Sequence, residues 1–111
     1  MVSFSNQIDW ETLRTFDSAS VTGTFQAIGT PLANPSYILK MVNQSTEDVL
    51  ISKDGSTSID ICPAGGFWLY DEGKVGISGS APAVPQGTQL YIKGTTGTGT
   101  IYLVSQFVMR S

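Results

Sequence analysis

The stretch Asp48-Val49-Leu50-Ile51-Ser52-Lys53-Asp54-Gly55-Ser56-Thr57-Ser58-Ile59-Asp60-Ile61-Cys62 decides the fold class. Two short runs rich in β-branched residues flank Lys53-Asp54-Gly55-Ser56. An Asp-Gly pair between such runs is a strong local hairpin signal, because glycine reaches positive φ without a steric penalty. The spacing predicts strands over 48–52 and 57–62, joined by a type I′ turn.

The same period of two extends in both directions. Val21, Gly23, Phe25 and Ala27 alternate with Thr22, Thr24 and Gln26, which predicts a half-buried strand ended by Gly29-Thr30-Pro31. Residues 36–43 are apolar on both faces, the mark of a central strand. Pro63-Ala64-Gly65-Gly66 breaks the ladder before the compact strand Phe67-Trp68-Leu69-Tyr70. A weak edge strand is expected at Val75–Gly79, then an extended Pro-rich connector at 81–85. Leu90 and Ile92 alternate with Gln89, Tyr91 and Lys93. Gly94-Thr95-Thr96-Gly97-Thr98-Gly99 reads as a tight hairpin loop into the last and longest strand, 100–109.

The segment 6–16 is too short and too rich in Thr and Asp for a stable helix. It is expected to be extended, then a strand or single turn. These readings give eight or nine short strands and no room for a crossover helix. The expected fold is all-β, a single antiparallel β-sandwich of jelly-roll or immunoglobulin type. An extended N-terminal arm (1–8) would precede a sandwich domain (9–111).

Composition narrows the function. The 111 residues include no His and one Cys, and only 14% are charged, with a net charge of −3. An average domain is about 25% charged, so Ser, Thr and Gly take up much of this surface. A surface short of charge resists association weakly. Lys and Arg are scattered, and the basic footprint of a nucleic-acid binder is missing. No apolar run reaches the ~18 residues of a membrane span. The N-terminus lacks the pattern of a signal peptide, so synthesis in a cytoplasm is expected.

The absence of His excludes Ser-His-Asp and Cys-His catalysis. Cys62 alone makes neither an intrachain disulfide nor a thiolate zinc site, and is expected to be a small buried hydrophobe. Three carboxylate pairs remain, Asp9 with Glu11, Glu47 with Asp48 and Asp71 with Glu72. A glycosidase needs two such groups across a cleft, but solvated turn residues are the simpler reading. Asp54, Ser56 and Asp60 match no EF-hand loop. The glycine-rich segment 94–99 lacks the lysine and following helix of a phosphate-binding loop. No cofactor, metal or catalytic residue is expected, and the chain is read as a non-enzyme.

The aromatic run is the most informative candidate site. In a strand, Phe67 and Leu69 share one face and Trp68 and Tyr70 the other. One face fills the core. The other covers a second apolar layer, forms a protein interface or makes a sugar-stacking platform. The interface expectation falls on Trp68 and Tyr70, with Val2 and Phe4 of the arm adding to a neighbour's open edge.

Two segments, Pro63–Phe67 and Tyr91-Ile92-Lys93-Gly94-Thr95-Thr96-Gly97-Thr98-Gly99-Thr100-Ile101-Tyr102, resemble small auxiliary structural proteins of tailed bacteriophage particles. Those proteins decorate capsids or build the collar and neck. The resemblance implies a virion component present in many copies, with itself and other virion proteins as partners. A carbohydrate-binding or host-recognition module of the same fold is the alternative.

Overall fold

The computed structural model describes residues 6–71 and 84–110. Val2 and Phe4 of the expected arm, the expected edge strand 75–79 and most of the connector at 81–85 lie outside them.

Nine strands form in the order β1 (Asn6–Trp10), β2 (Arg14–Asp17), β3 (Gln26–Ala27), β4 (Ile38–Ser45), β5 (Val49–Ser52), β6 (Asp60–Cys62), β7 (Phe67–Asp71), β8 (Tyr91–Gly94) and β9 (Gly99–Arg110). A short 3₁₀ turn, Ser18–Ser20, is the only helical element among the described residues. Every strand pairing is antiparallel. The first sheet runs β1-β9-β4-β7, with β2 beside β1 on the same flank of β9, and the second runs β3-β8-β5-β6.

Four pairs nest within one another: β2 with β9, β3 with β8, β4 with β7, and β5 with β6. This is a long hairpin rolled into two sheets, the jelly-roll form of the sandwich. Its core lies between the sheets. Leu39, Met41, Ile101 and Leu103 come from the first sheet, and Val49, Ile51, Cys62 and Ile92 from the second, all essentially inaccessible to solvent. Central β4 is hydrogen-bonded on both sides, to β7 and β9, as its two-sided apolar pattern predicts.

Several expectations need correction. Residues 6–8 are not a free arm, because Asn6–Trp10 pairs with the far end of β9 from Asn6↔Arg110 to Trp10↔Gln106. The strand expected over 20–27 shrinks to Gln26–Ala27. Thr22 Oγ1 donates to the Thr24 carbonyl (3.2 Å) and accepts from the Thr24 amide (3.2 Å). That local loop competes with the ladder.

The β5–β6 hairpin is present, but its turn is not type I′. Gly55 has φ 83°, while no non-glycine residue among those described has positive φ. The connection spans residues 53–59 and is organised by Asp54, whose Oδ1 accepts from the Ser56 and Thr57 amides, each at 2.8 Å. The Thr57 amide, then the Ser56 amide and the Ser52 hydroxyl, hold this carboxyl well below the ordinary aspartate range.

The glycine-rich segment 94–99 is not a hairpin. It leaves β8 in the second sheet and enters β9 in the first, and these two strands do not pair. Its glycines serve close approach to the β4–β5 corner. A Cβ on Gly94 would lie 2.6 Å from the Asp48 carbonyl oxygen, and one on Gly97 2.5 Å from Thr46 Oγ1.

Candidate interaction surface

Paired residues of an antiparallel sheet point to the same side. The register therefore assigns the outward face of the first sheet row by row. One row holds Phe67, Val42, Tyr102 and Thr15. The next holds Leu69, Lys40 and Val104, and a third joins Ile38, Gln106 and Trp10. Ile8 continues the face along β1, and Leu13 is exposed beside it just before β2.

This face is apolar and open. Phe67 is 62% exposed, Trp10 57%, Leu69 47% and Ile8 43%. These are large side chains for a surface, and contiguous exposed apolar patches of this kind mark association sites. Lys40 is the one charged side chain among those described in the three rows. Ile61, on the edge strand β6 of the second sheet, and Ile59, just before it, are also exposed.

Trp68 and Tyr70 lie on the opposite side of β7, packed against the core with Phe16 and Val84. The Trp68 indole Nε1 donates to Asp60 Oδ2 on β6, tying the edge strands of the two sheets together. The outward pair of the aromatic run is therefore Phe67 and Leu69. Alternation separates the two pairs in the sequence but carries no label for inside. The alternation of Ile8 and Trp10 with Gln7 and Asp9 puts the two on one face in the sequence, but by itself it reads as a buried face rather than an open one.

At the β1–β2 end of the face lies a groove of about 630 Å³, lined by Trp10, Thr12, Leu13, Thr30, Asn34 and Phe107 over a floor of Glu11 and Arg14. Both floor side chains are buried, at 5% and 7% exposure, and pair at 2.8 Å. Arg14 Nε donates to the Thr30 carbonyl (2.8 Å) and Nη2 also donates to that of Pro31 (3.0 Å). Glu11 accepts from the amides of Ala33 (3.2 Å) and Asn34 (2.9 Å) and from Asn34 Nδ2 (3.2 Å). Burial alone would raise the Glu11 pKa. Arg14 and the donors of Ala33 and Asn34 outweigh it, and the group titrates below its ordinary value.

Among the described residues, the carboxylates of Asp9, Asp17, Asp48, Asp54 and Asp60 each accept a backbone amide. Asp9 Oδ1 accepts from the Trp10 amide (2.8 Å), and Asp48 Oδ1 from the Ala64 amide (2.7 Å). No three Cys, Asp or Glu side chains cluster as a metal-binding group among the described residues. Cys62 is buried in the core, where burial first and the charge of Asp60 next raise its thiol to about 11.

No protein-family model matches the sequence, and no curated protein matches it. Among solved structures, the chain is similar to the Dit protein of bacteriophage SPP1. That crystal structure is described as a paradigm of the hub adsorption apparatus in phages infecting Gram-positive bacteria. The identity is 16% and the TM-score 0.42, over 90% of this chain and 49% of that one. The chain thus spans about half the length of that protein.

Proposed function

We propose that the chain is a non-catalytic structural component of a phage-type virion, associating with copies of itself and with other particle subunits through the outward face of the first sheet. The observation that carries this reading is the shared face of Phe67, Leu69, Trp10 and Ile8, all large, apolar and exposed. Covering such a face removes apolar area from water, which favours association by roughly 25 cal/mol per Å² before its entropic costs. A partner that binds only the assembled particle stabilises it by mass action. The virion setting rests on the resemblance of residues 63–67 and 91–102 to auxiliary phage proteins. The non-enzyme reading rests on the lack of histidine and on the carboxylates of Asp9, Glu11, Asp48 and Asp54 being bound into turns and clamps.

Light scattering of the full chain beside a Phe67→Ser/Leu69→Ser variant tests the surface. The parent is expected to self-associate and the variant to be monomeric with an unchanged melting temperature. A parent that stays monomeric at high concentration defeats the self-association. The genes flanking its own test the setting. Capsid, neck or tail genes are expected there, and metabolic neighbours would overturn it.

A further inference from the structure

We propose that the groove between the β1–β2 connection and the loop 29–34 binds a neutral carbohydrate, with Trp10 as its stacking platform. Its volume, about 630 Å³, lies within the ~300–1,000 Å³ of small-molecule sites. Trp10 lines it and is 57% exposed. The face of an indole ring is electron-rich, and it attracts the weakly positive C–H bonds on the flat side of a pyranose.

The polar groups of the groove select the ligand class. Several of its backbone groups are spent. The Ala33 and Asn34 amides are held by Glu11, the Thr30 and Pro31 carbonyls by Arg14, and the Glu11 amide by the Ser105 carbonyl. An extended peptide adding by main-chain hydrogen bonds finds those five groups taken. Its charges are spent as well. Glu11 and Arg14 neutralise each other, and Arg14 Nη1, which has no partner among the described residues, is sealed from solvent. Among the described residues that line the groove, an anion therefore finds no free cation.

What remains is the hydroxyls of Thr12, Thr15 and Thr30 and the amide oxygen of Asn34, none of them hydrogen-bonded among the described residues. Side-chain hydroxyl and amide groups beside an open indole complement a hydroxyl-rich, uncharged ligand.

Trp10 also belongs to the outward face of the first sheet, so the two readings are told apart through Phe67 and Leu69, which lie across the sheet from the groove. The test is calorimetric titration of the full chain with maltotetraose, cellotetraose and chitotetraose, and with tetragalacturonate as the anionic counterpart. Saturable binding of at least one neutral probe is expected. Trp10→Ala should weaken it at least about tenfold, in line with the loss of a central aromatic contact. Thr30→Val, which removes only a hydroxyl, should weaken it several-fold. The melting temperature should not change in either variant, and Phe67→Ser/Leu69→Ser should bind as the parent does. No saturable binding of the neutral probes, binding that survives Trp10→Ala, or preference for tetragalacturonate would each overturn the proposal.

Discussion

The side-chain amide of Asn43, on β4, donates to the backbone carbonyl of Cys62, on β6, at 3.1 Å, so this hydrogen bond crosses from one sheet to the other. The same Nδ2 donates to the Glu47 carbonyl (2.9 Å), and Oδ1 accepts from the Ser45 amide (3.1 Å). Asn43 is fully buried, and its satisfied amide pins the β4–β5 corner to the neighbouring edge. Asn43→Leu keeps the branched shape but strips these partners. Leaving buried carbonyls and an amide unpaired should cost roughly 2–4 kcal/mol. Urea unfolding is expected to show a lower midpoint with an unchanged slope. An unchanged midpoint would remove the corner from the fold's essential contacts.

Two glycines should respond differently to alanine. Gly55 has φ 83°, and a Cβ there would meet the Tyr91 ring at an ordinary 3.5 Å. Gly55→Ala should cost about 1 kcal/mol, from backbone strain alone. Gly99 has φ 113°, and a Cβ there would overlap the Gln44 carbonyl oxygen. Gly99→Ala should prevent folding or cost well over 3 kcal/mol, since backbone on backbone has no rotamer to yield. Similar melting temperatures for the two variants would refute the sheet-to-sheet crossing at 94–99.

That crossing marks where the sequence stops being legible. Period-two alternation places most strands, because it reports burial of one face, and it identifies Leu90, Ile92, Ile101 and Leu103 as inward. Asp54-Gly55 reports the β5–β6 connection, the one place among the described residues where consecutive strands pair with each other. A glycine-threonine segment looks the same whether it turns back on its own sheet or crosses to the other. The difference lies in which distant backbone it touches, here residues 44–48. The groove was illegible for a related reason. Glu11 and Arg14 are three apart, and the loop 29–34 that completes their clamp is distant in sequence.

The Glu11–Arg14 clamp predicts a pH dependence of known sign. The folded Glu11 pKa lies below its ordinary value of 4.5. Its stabilising contribution is therefore complete above about pH 4.5 and is lost as pH falls toward the lower folded value. Glu11→Gln should cost roughly 3 kcal/mol at pH 7, because it leaves Arg14 without its buried counter-charge. The stability gap between parent and variant should stay level from pH 7 to about 5 and narrow below 4.5. Comparing the two chains cancels the contribution of Asp54, whose carboxyl is also depressed. A gap that widened on acidification would mean that Glu11 is not paired in the folded state.

The last prediction separates the two faces of β7. Trp68 packs on the core and donates to Asp60, whereas Phe67, one residue earlier, faces outward at 62% exposure. Trp68→Ala should open a cavity and release the β6 edge, costing roughly 3–5 kcal/mol. Phe67→Ala removes a larger exposed area but should change stability by no more than about 0.5 kcal/mol. Self-association should respond in the opposite way. Phe67→Ala should weaken it at unchanged stability, and Trp68→Ala should affect it only as far as it unfolds the chain. Measuring both variants by thermal melting and by light scattering, under conditions where each is folded, settles the orientation of the strand. A stable Trp68→Ala chain that no longer associates would place Trp68, not Phe67, at the contact surface and reverse the face assigned to assembly.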